Sequence, residues 1–174
     1  MLYPLMFQPI LKEKIWGGKA IQKKFGRSLP SDKIGESWDV ACHKNGTSVV
    51  ANGSLKGKTL EQLIDSYSST LLGHQIYKRY SNKFPLLIKI LDANQYLSVQ
   101  VHPSDAYAAL HEDGQMGKTE MWYIIHAEPG ARLIYGVLPD TTKSDFENAL
   151  RKGQLEKYLN SIEVNSGDVL YIPA

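Results

Sequence analysis

Gln100 and His102 are the residues whose types and spacing first suggest chemistry. Apolar and polar side chains alternate over residues 97–103, which predicts a strand with Gln100 and His102 on one face and Val99 and Val101 on the other. An amide oxygen and an imidazole nitrogen placed side by side can both bind a metal ion. The same alternation fits an edge strand whose polar face meets water, so this stretch alone leaves both interpretations open.

Three charged side chains lie within or next to apolar segments. Glu120 precedes an aromatic and aliphatic run, where an unpaired carboxylate is costly and a metal ion or a lysine would offset that cost. Lys118 lies two residues before Glu120 and shares its strand face. Lys89 lies among isoleucine and leucine residues, which fits either a face open to water or a polar pocket.

The elements that would position these side chains are short strands interrupted by helices. Strands are predicted over residues 35–41, 47–50, 85–91, 97–102, 117–125, 131–137, 162–164 and 169–172, and residues 1–30 are predicted to be irregular. Hairpins are predicted to join 35–41 to 47–50, 85–91 to 97–102, and 162–164 to 169–172. Capping residues predict helices that begin at Thr59, Ser104 and Ser144. The predicted fold class is mainly β with some α, a barrel of strands with short inserted helices.

Length and composition indicate a single domain over residues 1–174. The formal net charge of +2 and the lack of a basic run argue against a nucleic-acid partner. No apolar run reaches the length that spans a membrane, and the N-terminus lacks the pattern of a signal peptide. The single cysteine, Cys42, excludes an intrachain disulfide and fits a reducing compartment, so we expect a cytoplasmic protein.

Several blocks of residues, taken together, resemble a known family. Gln100-x-His102, Glu120, and Gly167 followed by Pro173 resemble the two metal-binding motifs of the cupin superfamily. With the blocks at residues 15–18, 35–38, 85–89 and 117–123, the chain resembles the type I mannose-6-phosphate isomerases. These blocks run in the family's order and cover nearly the whole chain.

The resemblance implies a cupin-type β-barrel, or jelly roll, that holds one zinc ion. Gln100, His102 and Glu120 match three of the family's zinc ligands, while the fourth, a histidine, would follow Pro173. Family members are also longer, with a second cupin-like half and a C-terminal catalytic arginine. We therefore expect residues 1–174 to be an N-terminal catalytic cupin domain that ends before the last metal ligand, with no second domain.

The implied activity is the interconversion of mannose 6-phosphate and fructose 6-phosphate through an enediolate, with the sugar phosphate as partner. Lys89 and Lys118 match pocket lysines of the family, where either can neutralise the phosphate or stabilise the enediolate. Glu36 is a weaker candidate for orienting a ligand. The catalytic base and the oligomeric state are left unassigned, and we expect this chain by itself to be weakly active or inactive.

Two other functions fit the same residues. A cupin can be a non-enzymatic module that binds sugars or regulates another protein, because the fold hosts both kinds of function. It can also be a different metal-dependent enzyme, such as an iron oxygenase with histidine and carboxylate ligands. Isomerase assays with added zinc distinguish the non-enzymatic module from the isomerase, and metal analysis distinguishes the iron enzyme from it.

Overall fold

The computed structural model describes residues 2–174, which divide into two compact units. The first unit ends at Leu97, and the second spans residues 98–174. Strands are accompanied by short helices throughout, as the predicted fold class requires, and helices and 3₁₀ turns together hold about as many residues as the strands. None of the helices described in residues 2–174 is long and apolar enough to cross a bilayer.

The first unit contains seven strands and four α-helices among its described residues. The strands are β1 (Phe7–Gln8), β2 (Ile10–Gly18), β3 (Ile34–Val40), β4 (Cys42–His43), β5 (Gly46–Thr47), β6 (Val49–Val50) and β7 (Ile88–Leu91). The helices are α1 (Ala20–Phe25), α2 (Leu60–Tyr67), α3 (Ser69–Leu72) and α4 (His74–Tyr80), and a 3₁₀ turn covers Gly53–Leu55.

A three-stranded antiparallel sheet with β3 in the centre organises the first unit. Trp38 of β3 lies between Ile10 of β2 and Lys89 of β7 in the ladder. Both edges of β3 are therefore hydrogen-bonded, and residues 34–38 are buried. Side chains from the sheet and from α1 and α2, such as Ile21 and Ile34, form the core of this unit.

The capping signals predicted the start of α2 and of the first helix of the second unit. Thr59 and Gln62 form the reciprocal capping box predicted for α2. The predicted continuous helix to Gly73 is instead two helices, because Ser68 takes a left-handed φ of 46° between α2 and α3. Helix α4, which follows Gly73, was not predicted.

Residues 1–30 are more regular than predicted, since they contain β1, β2 and α1. Pro9 falls between β1 and β2 and so removes no donor from either strand. Gly17 lets β2 approach β3 closely, because a side chain there would collide with the backbone of Gly35. Trp16, Gly17 and Gly18 are therefore the end of a strand and not part of an irregular segment.

The strand predicted over residues 97–102 is wrong, and so is its hairpin with β7. No ladder pairs this stretch with any strand described in residues 2–174, and β7 pairs with β3. After β7 the chain turns towards β2 and α1: Asp92 accepts from the backbone N–H groups of Ala20 and Ile21, and Asn94 donates to the carbonyl of Trp16. These bonds replace the hairpin turn that the sequence suggested.

The second unit contains four described strands in two antiparallel pairs. The strands are β8 (Glu120–Tyr123), β9 (Arg132–Val137), β10 (Leu159–Glu163) and β11 (Val169–Ile172); the helices are α5 (Asp105–His111) and α6 (Lys143–Arg151), with a 3₁₀ turn at Leu155–Tyr158. Strand β8 pairs with β11, and β9 pairs with β10. The predicted hairpin of residues 162–164 with 169–172 is therefore wrong, although both strands exist. The pairings described in residues 2–174 form separate small sheets and do not close a barrel.

Caps also fix the helices of the second unit. Ser104 accepts from the N–H of Tyr107 and begins α5, as predicted. Helix α6 begins two residues earlier than predicted, because its capping box is formed by Thr142 and Asp145 and does not start at Ser144. The turn predicted at residues 43–46 is present between β4 and β5, but the hairpin predicted to join 35–41 to 47–50 is wrong, because β3 pairs with β2 and β7 and β6 pairs with β1.

Candidate functional site

Four polar side chains of the second unit form one connected cluster. His102 Nε2 lies 3.4 Å from Glu120 Oε2. The Lys118 ammonium donates to Gln100 Oε1 at 3.1 Å and lies 3.6 Å from Glu120 Oε1. The structure thus brings together the three side chains proposed as metal ligands and one of the two proposed pocket lysines. We call Gln100, His102, Lys118 and Glu120 the polar cluster.

Strand β8 positions Glu120 and the aromatic residue that holds it. Glu120 is the first residue of β8 and lies opposite Ile172 of β11. Trp122 lies two residues on, on the same strand face, and its indole N–H donates to Glu120 Oε2 at 3.0 Å. One carboxylate oxygen therefore faces both the indole and His102, while the other faces Lys118.

His102 and Gln100 come from the irregular stretch that was predicted to be a strand. The predicted alternation is not kept: Val101 is 83% exposed and Gln100 is also exposed, whereas the side chain of His102 is only 8% exposed. The stretch is tied to the segment before β8, since the N–H of Lys118 donates to the carbonyl of Pro103 at 3.0 Å. Gly117 makes this approach possible, because a Cβ there would lie 2.6 Å from the backbone nitrogen of Asp105.

The polar cluster is graded from buried to exposed. The side chains of His102 and Glu120 are 8% and 18% exposed, the side chain of Lys118 is 41% exposed, and Gln100 is exposed. Glu120 carries the negative charge of the cluster and Lys118 a positive one, so a ligand entering from solvent meets the amide and the ammonium before the imidazole and the carboxylate.

The donor atoms of the polar cluster suit a divalent cation such as zinc. Two ligands bonded to tetrahedral zinc at about 2.0–2.2 Å lie roughly 3.3–3.5 Å apart, and His102 Nε2 and Glu120 Oε2 are 3.4 Å apart. Gln100 Oε1 and Glu120 Oε1 already share one cation, the ammonium of Lys118. Within residues 2–174 no group of three or more His, Cys, Asp and Glu residues is placed to hold a metal, so any site here depends on the amide of Gln100.

Lys89 and Glu36 belong to the first unit, on the three-stranded sheet. Glu36 is 8% exposed, accepts from the indole N–H of Trp38 at 2.6 Å, and lies 3.5 Å from the ammonium of Lys14. Burial opposes its ionisation, yet the Trp38 hydrogen bond and the charges of Lys89 and Lys14 together hold the pKa of Glu36 below its ordinary value. Glu36 is therefore ionised at neutral pH.

Both units contain the same local arrangement of a glutamate and a tryptophan two residues later. In Glu36-Ser-Trp38 and Glu120-Met-Trp122 the indole donates to the carboxylate of the preceding glutamate, and a lysine lies beside the other oxygen. Strand alternation places such a pair on one face, so the Glu-x-Trp spacing was the sequence signal for these contacts. The role of Lys14 had no such signal, because its partner is 22 positions away on another strand.

Comparison with known sequences gives a consistent set of relatives. Residues 5–118 match the sequence model described as "Phosphomannose isomerase type I, catalytic domain". The chain is 46% identical over 171 residues to mannose-6-phosphate isomerase ManA of Bacillus subtilis (strain 168), covering 98% of this chain and 52% of that protein. It is 44% identical over 174 residues to the mannose-6-phosphate isomerase of Streptococcus mutans, covering 100% and 53%. The chain spans about half the length of the curated relatives it matches.

Solved structures agree with the sequence matches. The mannose 6-phosphate isomerase from Bacillus subtilis superposes with a TM-score of 0.91 at 40% identity, covering 99% of this chain and 53% of the other. A putative mannosephosphate isomerase from Archaeoglobus fulgidus superposes with a TM-score of 0.80 at 26% identity, covering 99% and 57%. The match confirms the predicted class of fold, and a cupin-like arrangement is consistent with it.

Proposed function

The chain belongs to the type I phosphomannose isomerase family, and from that premise we propose that it provides the metal-binding part of an enzyme that interconverts mannose 6-phosphate and fructose 6-phosphate. The observation that supports this most is the polar cluster, in which an imidazole, a carboxylate, an amide and an ammonium converge in the second unit. Relatives of this chain at 46% and 44% identity carry that activity in their names.

Gln100, His102 and Glu120 are the residues proposed to hold one zinc ion. The distance between His102 Nε2 and Glu120 Oε2 supports this assignment, as does the cation that Gln100 and Glu120 already share. Zinc, when bound, supplies a Lewis acid that lowers the free energy of the negatively charged enediolate oxygen by several kcal/mol. Trp122 keeps one lone pair of Glu120 occupied and so fixes the direction in which the carboxylate points.

The chain's own cations would handle the negative charge of the substrate. Lys118 lies at the exposed side of the polar cluster, where its ammonium can donate to a phosphate or to a sugar oxygen. Lys89, on β7, is the second lysine proposed to bind substrate or to stabilise the enediolate. Glu36 is held ionised and so is proposed to orient a ligand or a lysine, since it has no proton to give at neutral pH.

A non-enzymatic module that binds sugar phosphates is the second candidate function. It is favoured by the exposed Lys118, whose ammonium can bind a phosphate whether or not a reaction follows. Both candidates share the sugar-phosphate ligand, and they differ in whether a carbon-bound proton is removed. The cytoplasmic location inferred from the single cysteine stays a prediction.

Proton exchange separates the two candidates. The chain, loaded with zinc, is incubated with fructose 6-phosphate in deuterium oxide, and deuterium at C1 is followed by proton NMR. We expect slow exchange that requires zinc and is lost in His102→Ala, with little net conversion to mannose 6-phosphate. The variant His126→Ala is the matched control, because His126 also lies beside a glutamate but outside the polar cluster.

Zinc-dependent binding of the sugar phosphate without exchange would favour the binding module instead. If the chain neither binds the sugar phosphate nor exchanges its proton, both candidates are refuted for this chain. Turnover as fast as that of the full-length relatives would contradict the expectation that the chain alone is weakly active.

A further inference from the structure

We propose that the outward face of the β8–β11 sheet packs against the same face of a second copy of this chain. This face consists of Met121, Tyr123, Val169 and Tyr171, and we call it the apolar face. The inference rests on packing alone and does not depend on the proposed function.

The apolar face is contiguous because its members are cross-strand neighbours. Tyr123 lies opposite Val169, and Met121 lies opposite Tyr171 in the antiparallel ladder. The four residues are 63%, 59%, 63% and 61% exposed in the order Met121, Tyr123, Val169 and Tyr171. An antiparallel sheet that covers a core normally turns polar side chains to water, but here the outer residues of both strands are apolar or aromatic.

The inner face of the same sheet is already covered. Leu170 is 7% exposed, and Trp122 is half-buried with its indole bonded to Glu120. The sheet therefore carries large apolar side chains on both sides, with Glu120 at one end of the inner face, a pattern typical of a strand pair that is packed on both faces. A two-stranded sheet has little stability by itself in water, so covering the outer face would also stabilise the strands that carry Glu120.

The exposed area is sufficient for a small specific interface. Tyrosine side chains offer 150–250 Å² each. With the smaller Met121 and Val169, four side chains at about 60% exposure leave roughly 400–500 Å² uncovered on one copy. Two copies would bury about 800–1,000 Å² in total, close to the lower limit for a specific protein–protein interface. Interfaces below about 1,200 Å² belong mostly to weak and transient complexes, so we expect the copies to associate weakly.

The face complements itself in both charge and shape. None of its four side chains is charged, so it offers nothing to attract a charged partner, and an identical face is equally free of charge. A two-fold axis parallel to the strands places each position of β8 over the paired position of β11 in the other copy. Tyr123 would then face the partner's Val169, and Met121 the partner's Tyr171, so that each large ring meets a smaller aliphatic side chain.

Sedimentation equilibrium of the chain over about 1–200 µM tests this proposal. We expect the mean mass to rise from 19.5 kDa towards twice that value. Tyr171→Lys should abolish the rise, and Leu150→Lys should not, because Leu150 is 60% exposed on α6 and lies outside the face. If Tyr171→Lys does not fold by circular dichroism, Met121→Lys gives the same test at the neighbouring position.

A 19.5 kDa species at every concentration would overturn the proposal. So would a dimer that persists unchanged in the folded face variants, or a wild-type chain that forms only assemblies larger than a dimer. Loss of the dimer in the face variants with retention in Leu150→Lys is the result that supports it.

Discussion

Replacing Lys118 by alanine should tighten zinc binding while leaving the fold intact. The ammonium of Lys118 lies 3.6 Å from Glu120 Oε1 and donates to Gln100 Oε1 at 3.1 Å. A zinc ion bound to the same oxygens must compete with this cation and is repelled by it. The lysine therefore opposes metal binding, although it is proposed to help the substrate.

The size of the effect follows from the distances in the polar cluster. A metal bonded at about 2 Å to the Glu120 carboxylate would lie roughly 6 Å from the ammonium. The repulsion between a doubly charged zinc ion and the singly charged ammonium across about 6 Å of water raises the free energy of zinc binding by about 1.4 kcal/mol. This corresponds to a factor of about ten in the dissociation constant. Loss of a half-exposed ion pair costs only about 0–1 kcal/mol in the free energy of unfolding, so Lys118→Ala should stay folded.

Isothermal titration calorimetry with zinc measures the change. Lys118→Ala should bind about ten times more tightly than the wild type, Lys118→Arg should not, and Lys143→Ala should be unchanged because Lys143 pairs with Glu147 on α6. Equal or weaker zinc binding by Lys118→Ala would show that the metal does not bind beside Glu120. In an active, full-length enzyme the same substitution should lower turnover far more than stability, because the lysine is proposed to contact the substrate.

Three further predictions concern pH, a half-buried ion pair and a helix cap. Folding lowers the pKa of Glu36, so the unfolded state binds more protons and the ionised carboxylate stabilises the fold above its ordinary pKa of 4.5. This stabilisation is lost as the pH falls through the lowered pKa of the folded state. Glu36→Gln should therefore flatten the acid side of a stability–pH curve. Arg27 makes two hydrogen bonds to Asp39, at 2.7 and 2.8 Å, so Arg27→Met should lower the free energy of unfolding by about 1–3 kcal/mol in urea denaturation, and no change would show that the pair is not formed. Thr142→Ala should cost about 1 kcal/mol and increase hydrogen exchange at the start of α6, whereas Ser144→Ala should do neither; the reverse result would restore the cap predicted from sequence.

Features encoded by neighbouring residues were predicted well from the sequence. Thr59 and Ser104 begin helices because a capping side chain and the N–H it bonds are only three residues apart. Strands β3, β8 and β9 follow from alternation within a few residues. The polar cluster draws on residues 100–120, a short stretch of the chain, and family resemblance had grouped three of its members.

Strand partners and distant contacts could not be predicted in the same way. The hairpin after β7 fails because Asp92 caps α1, which lies 72 positions earlier in the chain, and nothing in the local sequence signals that bond. Strands β10 and β11 read as a hairpin, yet each pairs with an earlier strand. Which strand a given strand pairs with depends on which strand edges are still unpaired in the folded unit. The residue pattern within one segment carries no information about those edges.

The most direct test of the central claim is the position of zinc in crystals of the zinc-loaded chain, measured by anomalous diffraction at the zinc absorption edge. We expect one strong peak bonded to His102 Nε2, to a carboxylate oxygen of Glu120 and to Gln100 Oε1, with the Lys118 ammonium displaced from between the two oxygens. A peak at Cys42 or at the histidines outside the polar cluster, with none at His102 and Glu120, would contradict the claim that these residues form the metal site.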